Sequence, residues 1–141
     1  MSNFTVPIDI DNHAPFIRIS VCSRELCYEG WGLVDTGAAK SAMTENVATG
    51  LSLRETGKSD VNTAMGSTSV PKYHIDKLVL QNRVEFCNLD IDLFTGYKDG
   101  PDFLIGMDII SRGNLAITNY NGRILLSFEC PSNGNIDFTK M

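Results

Sequence analysis

Asp35-Thr36-Gly37-Ala38 is the short run of this 141-residue chain whose residue types and order most directly permit chemistry. Leu33 and Val34 lead straight into it, so a carboxylate stands at the end of an apolar, strand-like segment, with the permissive Gly37 two residues on. A carboxylate held by a rigid element can accept or deliver a proton during a reaction. The same residues also make an ordinary turn, because Asp and Gly are common turn formers. Other candidate groups are scattered. Asp99, Asp102 and Asp108 lack an adjoining Thr/Ser-Gly, and His13 and His74 have no arrangement that would make them catalytic. Asp108 falls at the start of a helical turn and is expected to cap it. Cys22, Cys27, Cys87 and Cys130 show no CxxC pairing, and two histidines supply no zinc-ligand spacing, so no metal is expected. Cys22 and Cys27 flank a hairpin turn and could face each other across it, but reduced thiols are expected.

The elements that must position Asp35 read as strands. Period-2 alternation and β-branched residues dominate, and helical stripes are scarce. "FIRISVC" reads as a strand, "SREL" as a turn and "CYEGWGLV" as the returning strand that carries the aspartate. "TENVATGL" is a short helix with Thr44 as N-cap and Gly50 as stop. "DVNTAMGSTSVPKYHI" forms a hairpin with its tip at Met65-Gly66-Ser67, and "KLVLQNRVEFCNLDIDLF" gives two strands joined around Gln81-Asn82-Arg83. After the loop "TGYKDGPD", "FLIGMDIISRGNL" breaks at Gly106 and resumes as a helical turn. Asn121-Gly122 joins a last hairpin. Many short strands with one or two short helices make a small, mostly antiparallel barrel or sandwich.

The totals narrow the classes. A chain of this length makes one domain, residues 1–141, and buries a sufficient core without disulfides or metal. Net charge is −5 with no cluster of Lys and Arg, which excludes a nucleic-acid partner. No apolar run approaches a membrane span, and the first residues lack the pattern of a signal peptide, so a cytoplasmic location is expected.

Asp35-Thr36-Gly37-Ala38 after an apolar strand, the Gly-tipped hairpin "TAMGSTSV" about thirty residues later, and "LIGMDII" followed by one more hairpin together resemble the retropepsin-like aspartic proteases, the single-lobe class that includes retroviral proteases. The style of "LIGMDIISRGNLAITNYNGRILL" is closer to cellular and bacterial members than to viral ones. The likeness spans roughly residues 16–128 and implies a small closed antiparallel barrel. It also implies a homodimer: the chemistry needs two facing carboxylates, the chain has a single Asp-[Thr/Ser]-Gly, and each chain would supply one Asp35 across a two-fold axis.

On this resemblance the Thr36 hydroxyl bonds to the partner's loop, Gly37 offers its N–H near the carboxylate, and Ala38 keeps the approach uncrowded. Leu104-Ile105-Gly106 packs beneath the loop, where glycine lets two backbones come close. Met65 to Ser67 is the tip of a flap, with Ala64 and Met65 as contacts for an extended peptide or protein substrate. Lys40 is expected to point outward. No cofactor is implied. Two rival readings share the fold: a peptide-binding or dimerisation module with weak or absent hydrolysis, and a regulatory domain of a longer polypeptide whose neighbour drives dimerisation. The terminal stretches "NFTVPIDI" and "RILLSFEC" are strand-like candidates for the dimer sheet.

Overall fold

In the stretch "FIRISVCS" the apolar positions recur every second residue, and in the computed structural model Ile17, Ile19 and Val21 are buried on one face of a strand. The structure describes residues 2–9, 14–96 and 98–140, and of Thr63 the backbone alone; the expectation for His13 lies outside the described residues. The strands are β1 (Ser2–Pro7), β2 (Phe16–Ser23), β3 (Leu26–Val34), β4 (Ala42–Met43), β5 (Glu55–Thr63), β6 (Gly66–Val79), β7 (Glu85–Leu93), β8 (Phe103–Ile105), β9 (Asn114–Tyr120) and β10 (Arg123–Cys130). The helices are short: α1 (Glu45–Gly50) and α2 (Met107–Ile110).

The order β2-β3-β8-β4-β7-β6, with β6 returning to pair with β2, closes a six-stranded barrel, and β5 hangs from β6 as the outer arm of a hairpin. The fold is mostly β and closed, as expected, but two of its pairings are parallel: β3 with β8 and β4 with β7. Each joins segments far apart in sequence, so short-range turn signals do not reveal it. Phe103, Met43, Ile75, Leu78 and Ile91 fill the interior with almost no exposed surface. A separate sheet, β1-β10-β9, covers one side through Phe4, Leu126 and Phe128. The two terminal stretches therefore pair with each other within one chain.

Three local expectations change. Cys22 and Cys27 form a disulfide rather than two thiols, because the β2–β3 register sets them directly opposite each other, 4.1 Å apart at Cα; Cys87 and Cys130 are free. The β5–β6 turn is Ala64-Met65, one residue earlier than expected, since Gly66 pairs with Thr63 and uses its φ of +114° to leave the turn. Thr44 does precede α1, but its hydroxyl makes no cap bond; it is buried and has no partner among the described residues.

Asn121 (φ +53°) and Gly122 (φ +80°) form the tight turn between β9 and β10. Gly122→Ala forces a side chain into left-handed backbone and should cost about 1 kcal/mol. An unchanged urea midpoint would contradict that.

Candidate active site

Along β3 the side chains alternate: Val34 enters the core while Leu33 and Asp35 face the other way. The parallel ladder Gly32↔Phe103, Leu33↔Leu104, Val34↔Ile105 ends as the Asp35 N–H donates to the Ile105 carbonyl at 2.9 Å. Asp35 therefore leaves the barrel wall beside Gly106. It is half-buried, and its Oδ1 accepts the Gly37 N–H at 2.9 Å, so the motif's own glycine orients the carboxylate. Ala38 closes the turn with its N–H on the Asp35 carbonyl at 3.2 Å. Thr36 and Gly37 are exposed at the crest, and Lys40 is exposed as well.

Beneath the crest, residues 38–41 lie against the start of α2. The Met107 N–H donates to the Ala38 carbonyl at 2.8 Å and the Asp108 N–H to the Ala39 carbonyl at 3.2 Å. Gly106 has no room for a side chain: a Cβ there would sit 2.7 Å from the Lys40 carbonyl carbon and 2.9 Å from the Ala38 oxygen, both backbone. Ile105 is buried and Leu104 half-buried.

A residue that sequence reasoning passed over ties these pieces together. Ser41 is fully buried; its hydroxyl donates to Asp108 Oδ1 at 2.7 Å and accepts the Gly106 N–H at 2.9 Å. The Ser41 N–H also reaches both Asp108 oxygens, at 3.1 and 3.0 Å. Asp108 is not the expected cap: it is the second residue of α2, whose N-cap is Gly106, and although it accepts the Ile109 N–H at 2.9 Å, most of its bonds run to Ser41. No local sequence signal marked it.

Asp102 is structural too. It accepts the Trp31 N–H at 3.0 Å and the Tyr28 hydroxyl at 3.4 Å, fixing the entry of β8 to β3. Burial and then the neighbouring Asp102 charge push the Tyr28 phenol above its ordinary value. Trp31 is half-exposed with the Arg18 guanidinium 4.9 Å from its ring centroid, and His74 lies at the surface beside Asp90.

The flap candidates sit apart from this cluster. β7 pairs with β6 only over Lys72 to Val79, so Gly66 to Pro71 has β5 as its strand partner. Met65 at the tip is 97% exposed, Ala64 and Gly66 are exposed, and the Ser67 hydroxyl donates to Asn62 Oδ1 at 2.6 Å. Among the described residues no group of three or more His, Cys, Asp or Glu is placed to hold a metal ion.

This bonding predicts two stability losses. Gly106→Ala should lose about 1–3 kcal/mol through overpacking against backbone. Asp108→Ala should lose roughly 3 kcal/mol by stranding the buried Ser41 donors. Denaturant titration measures both, and a loss below about 0.5 kcal/mol in either would show that the loop is held some other way.

The chain matches the family model "gag-polyprotein putative aspartyl protease" over residues 32–112, more than half its length. In fold it is similar to a retropepsin-like aspartic protease from Rickettsia conorii, with a TM-score of 0.61 at 19% identity, covering 92% of this chain and 93% of that one. A weaker likeness, with a TM-score of 0.47 at 17% identity, is to a foamy viral protease-reverse transcriptase, covering 70% of this chain and 12% of that one. No curated protein sequence matches it. With Asp35 in a glycine-oriented loop on a closed barrel, and with the family model spanning that loop and α2, the chain belongs to the retropepsin-like aspartyl protease family.

Proposed function

We propose that the protein is an aspartic endopeptidase acting as a homodimer, with one Asp35 from each chain. The observation that carries this reading is the single Asp-Thr-Gly loop, clamped at the end of β3 so that its carboxylate points away from the core. One such carboxylate cannot serve as acid and base at once, and a two-fold axis supplies its twin.

Two carboxylates a few ångströms apart do not ionise together, so the pair holds one proton. The ionised partner takes a proton from a bound water as that water attacks the peptide carbonyl. The protonated partner donates to the carbonyl oxygen, giving a tetrahedral intermediate. Collapse of that intermediate, with a proton delivered to the leaving nitrogen, releases both products and needs no covalent enzyme adduct. Thr36 is exposed at the crest, and in the proposed dimer its hydroxyl bonds to the facing loop. The β5–β6 hairpin closes over an extended substrate, adding backbone hydrogen bonds and excluding water.

Asp35→Asn should abolish cleavage of a peptide mixture at pH values between about 4 and 7 while keeping the wild-type melting profile. Wild-type specific activity should also fall on dilution as dimers dissociate. Equal cleavage by the variant would overturn the role of Asp35. Activity independent of dilution, from a sample shown to be monomeric, would overturn the shared site. A dimeric wild type that binds peptides without cleaving them would make the module a binding domain instead.

A further inference from the structure

β7 breaks its own alternation. Phe86, Leu89 and Ile91 enter the core and Cys87 and Asp90 face out, so Asp92 belongs to the outward set, yet only 6% of it is exposed. Strand register shows what lies around it. Leu33 pairs with Leu104, Leu104 with Ala42, Ala42 with Asp92, and Asp92 with Lys72. Registered neighbours share a sheet face, and Leu33 shares its face with Asp35 two residues on. The adjoining row, with Phe103 and Met43 fully buried, is the core face. The Leu33–Leu104–Ala42–Asp92 row therefore floors the same side of the barrel wall as the candidate catalytic carboxylate.

Ala42 and Asp92 lie deep in that row, and the Asp92 carboxylate has no hydrogen-bond or ion-pair partner among the described residues. Lys72, next in the row, turns its amine elsewhere: a Cβ on Gly57 would lie 3.9 Å from it. The Asp92 oxygens keep a small contact with water, and a carboxylate so poorly solvated and without a counter-charge gains from a cation that reaches it. Two residues along β3 and three strand spacings across the wall place Asp92 about 15 Å from Asp35. An extended peptide covers roughly 7–10 Å in two or three residues, and a four-carbon lysine stem adds about 6 Å.

We propose that Asp92 is the specificity-determining carboxylate of a substrate subsite that takes a lysine or arginine side chain two or three residues from the scissile bond. The aliphatic stem lies along Leu104 and Ala42, and the cation pairs with Asp92. The net charge of −5 favours approach of such peptides. This proposal rests on the endopeptidase reading for the position of the scissile bond, while the cation preference itself does not require turnover.

The test profiles cleavage of a randomised decapeptide library, then compares matched peptides carrying lysine or norleucine at the selected position. Calorimetry follows binding of the same pair with the scissile bond reduced. Wild type should favour lysine by roughly tenfold or more in kcat/KM and in affinity, and in Asp92→Asn the ratio should collapse to near one. Wild type without a basic preference within three residues of the cut would overturn the proposal whether or not the variant folds. So would an Asp92→Asn protein that keeps the preference. Lysine-selective, Asp92-dependent binding without any cleavage would support the subsite and overturn the endopeptidase reading alone.

Discussion

The bonds among Ser41, Asp108 and Gly106 set the geometry on which the rest of the candidate site depends. Asp35 is attached to the barrel by one backbone bond to Ile105, and its loop would otherwise be an exposed turn. Ser41 anchors the far end of that loop to the first turn of α2 through three bonds to Asp108, and its hydroxyl takes the Gly106 N–H. Gly106 permits this only because its missing side chain leaves space for the Lys40 and Ala38 backbone. The loop is thus held from both ends and from below, while its upper side, with Thr36 and Gly37, stays open. The proposed homodimer would need that arrangement: in it, whatever faces the two-fold axis meets its own copy, so positional error at Asp35 would count twice.

The barrel explains why this clamp can be small. β3 and β8 run parallel, so the chain that ends at Asp35 and the chain that ends at Gly106 leave the wall at the same height and on the same side. A two-residue turn cannot join parallel neighbours, and β3 and β8 are connected through most of the barrel. The closing β2–β6 pairing makes that long connection rigid, and the Asp102 carboxylate fixes the opposite end of the β3–β8 ladder at Trp31. Aim at one end is set by contacts at both.

Local signals in the sequence carried the strands, the hairpin turns and the aspartate loop, because each depends on residues within a few positions of one another. Alternation placed β2 and β3, Asn121-Gly122 placed the last turn, and the Asp-Thr-Gly run with its apolar lead marked the loop. Interactions between distant segments were not legible in this way. Ser41 and Asp108 are 67 residues apart, and nothing in "AAKSAM" distinguishes a buried hydroxyl anchor from a surface serine. The Cys22–Cys27 bond was missed for a different reason: the register was readable, but the expected cytoplasmic location argued for reduced thiols. The one-residue error at the tip of the β5–β6 hairpin arose because a glycine of positive φ can follow a turn as readily as occupy it.

Four aspartates show how far residue type alone falls short of role. Asp102 and Asp108 are occupied by donors from other segments and act as fasteners. Asp35 receives an N–H from its own loop on one oxygen and stands half-exposed at the edge of the wall. Asp92 faces the same side as Asp35 but is sunk in an apolar row with no donor of its own. A carboxylate with several fixed donors has little to offer a substrate, because its electrostatic demand is already met. One with a single orienting donor keeps an oxygen for proton transfer, and one with none, in contact with little water, has the strongest demand for a cation brought from outside. On that gradient of local satisfaction, the fasteners separate from the proposed catalyst and the proposed selector among identical side chains, and each assignment follows from neighbours that can be named.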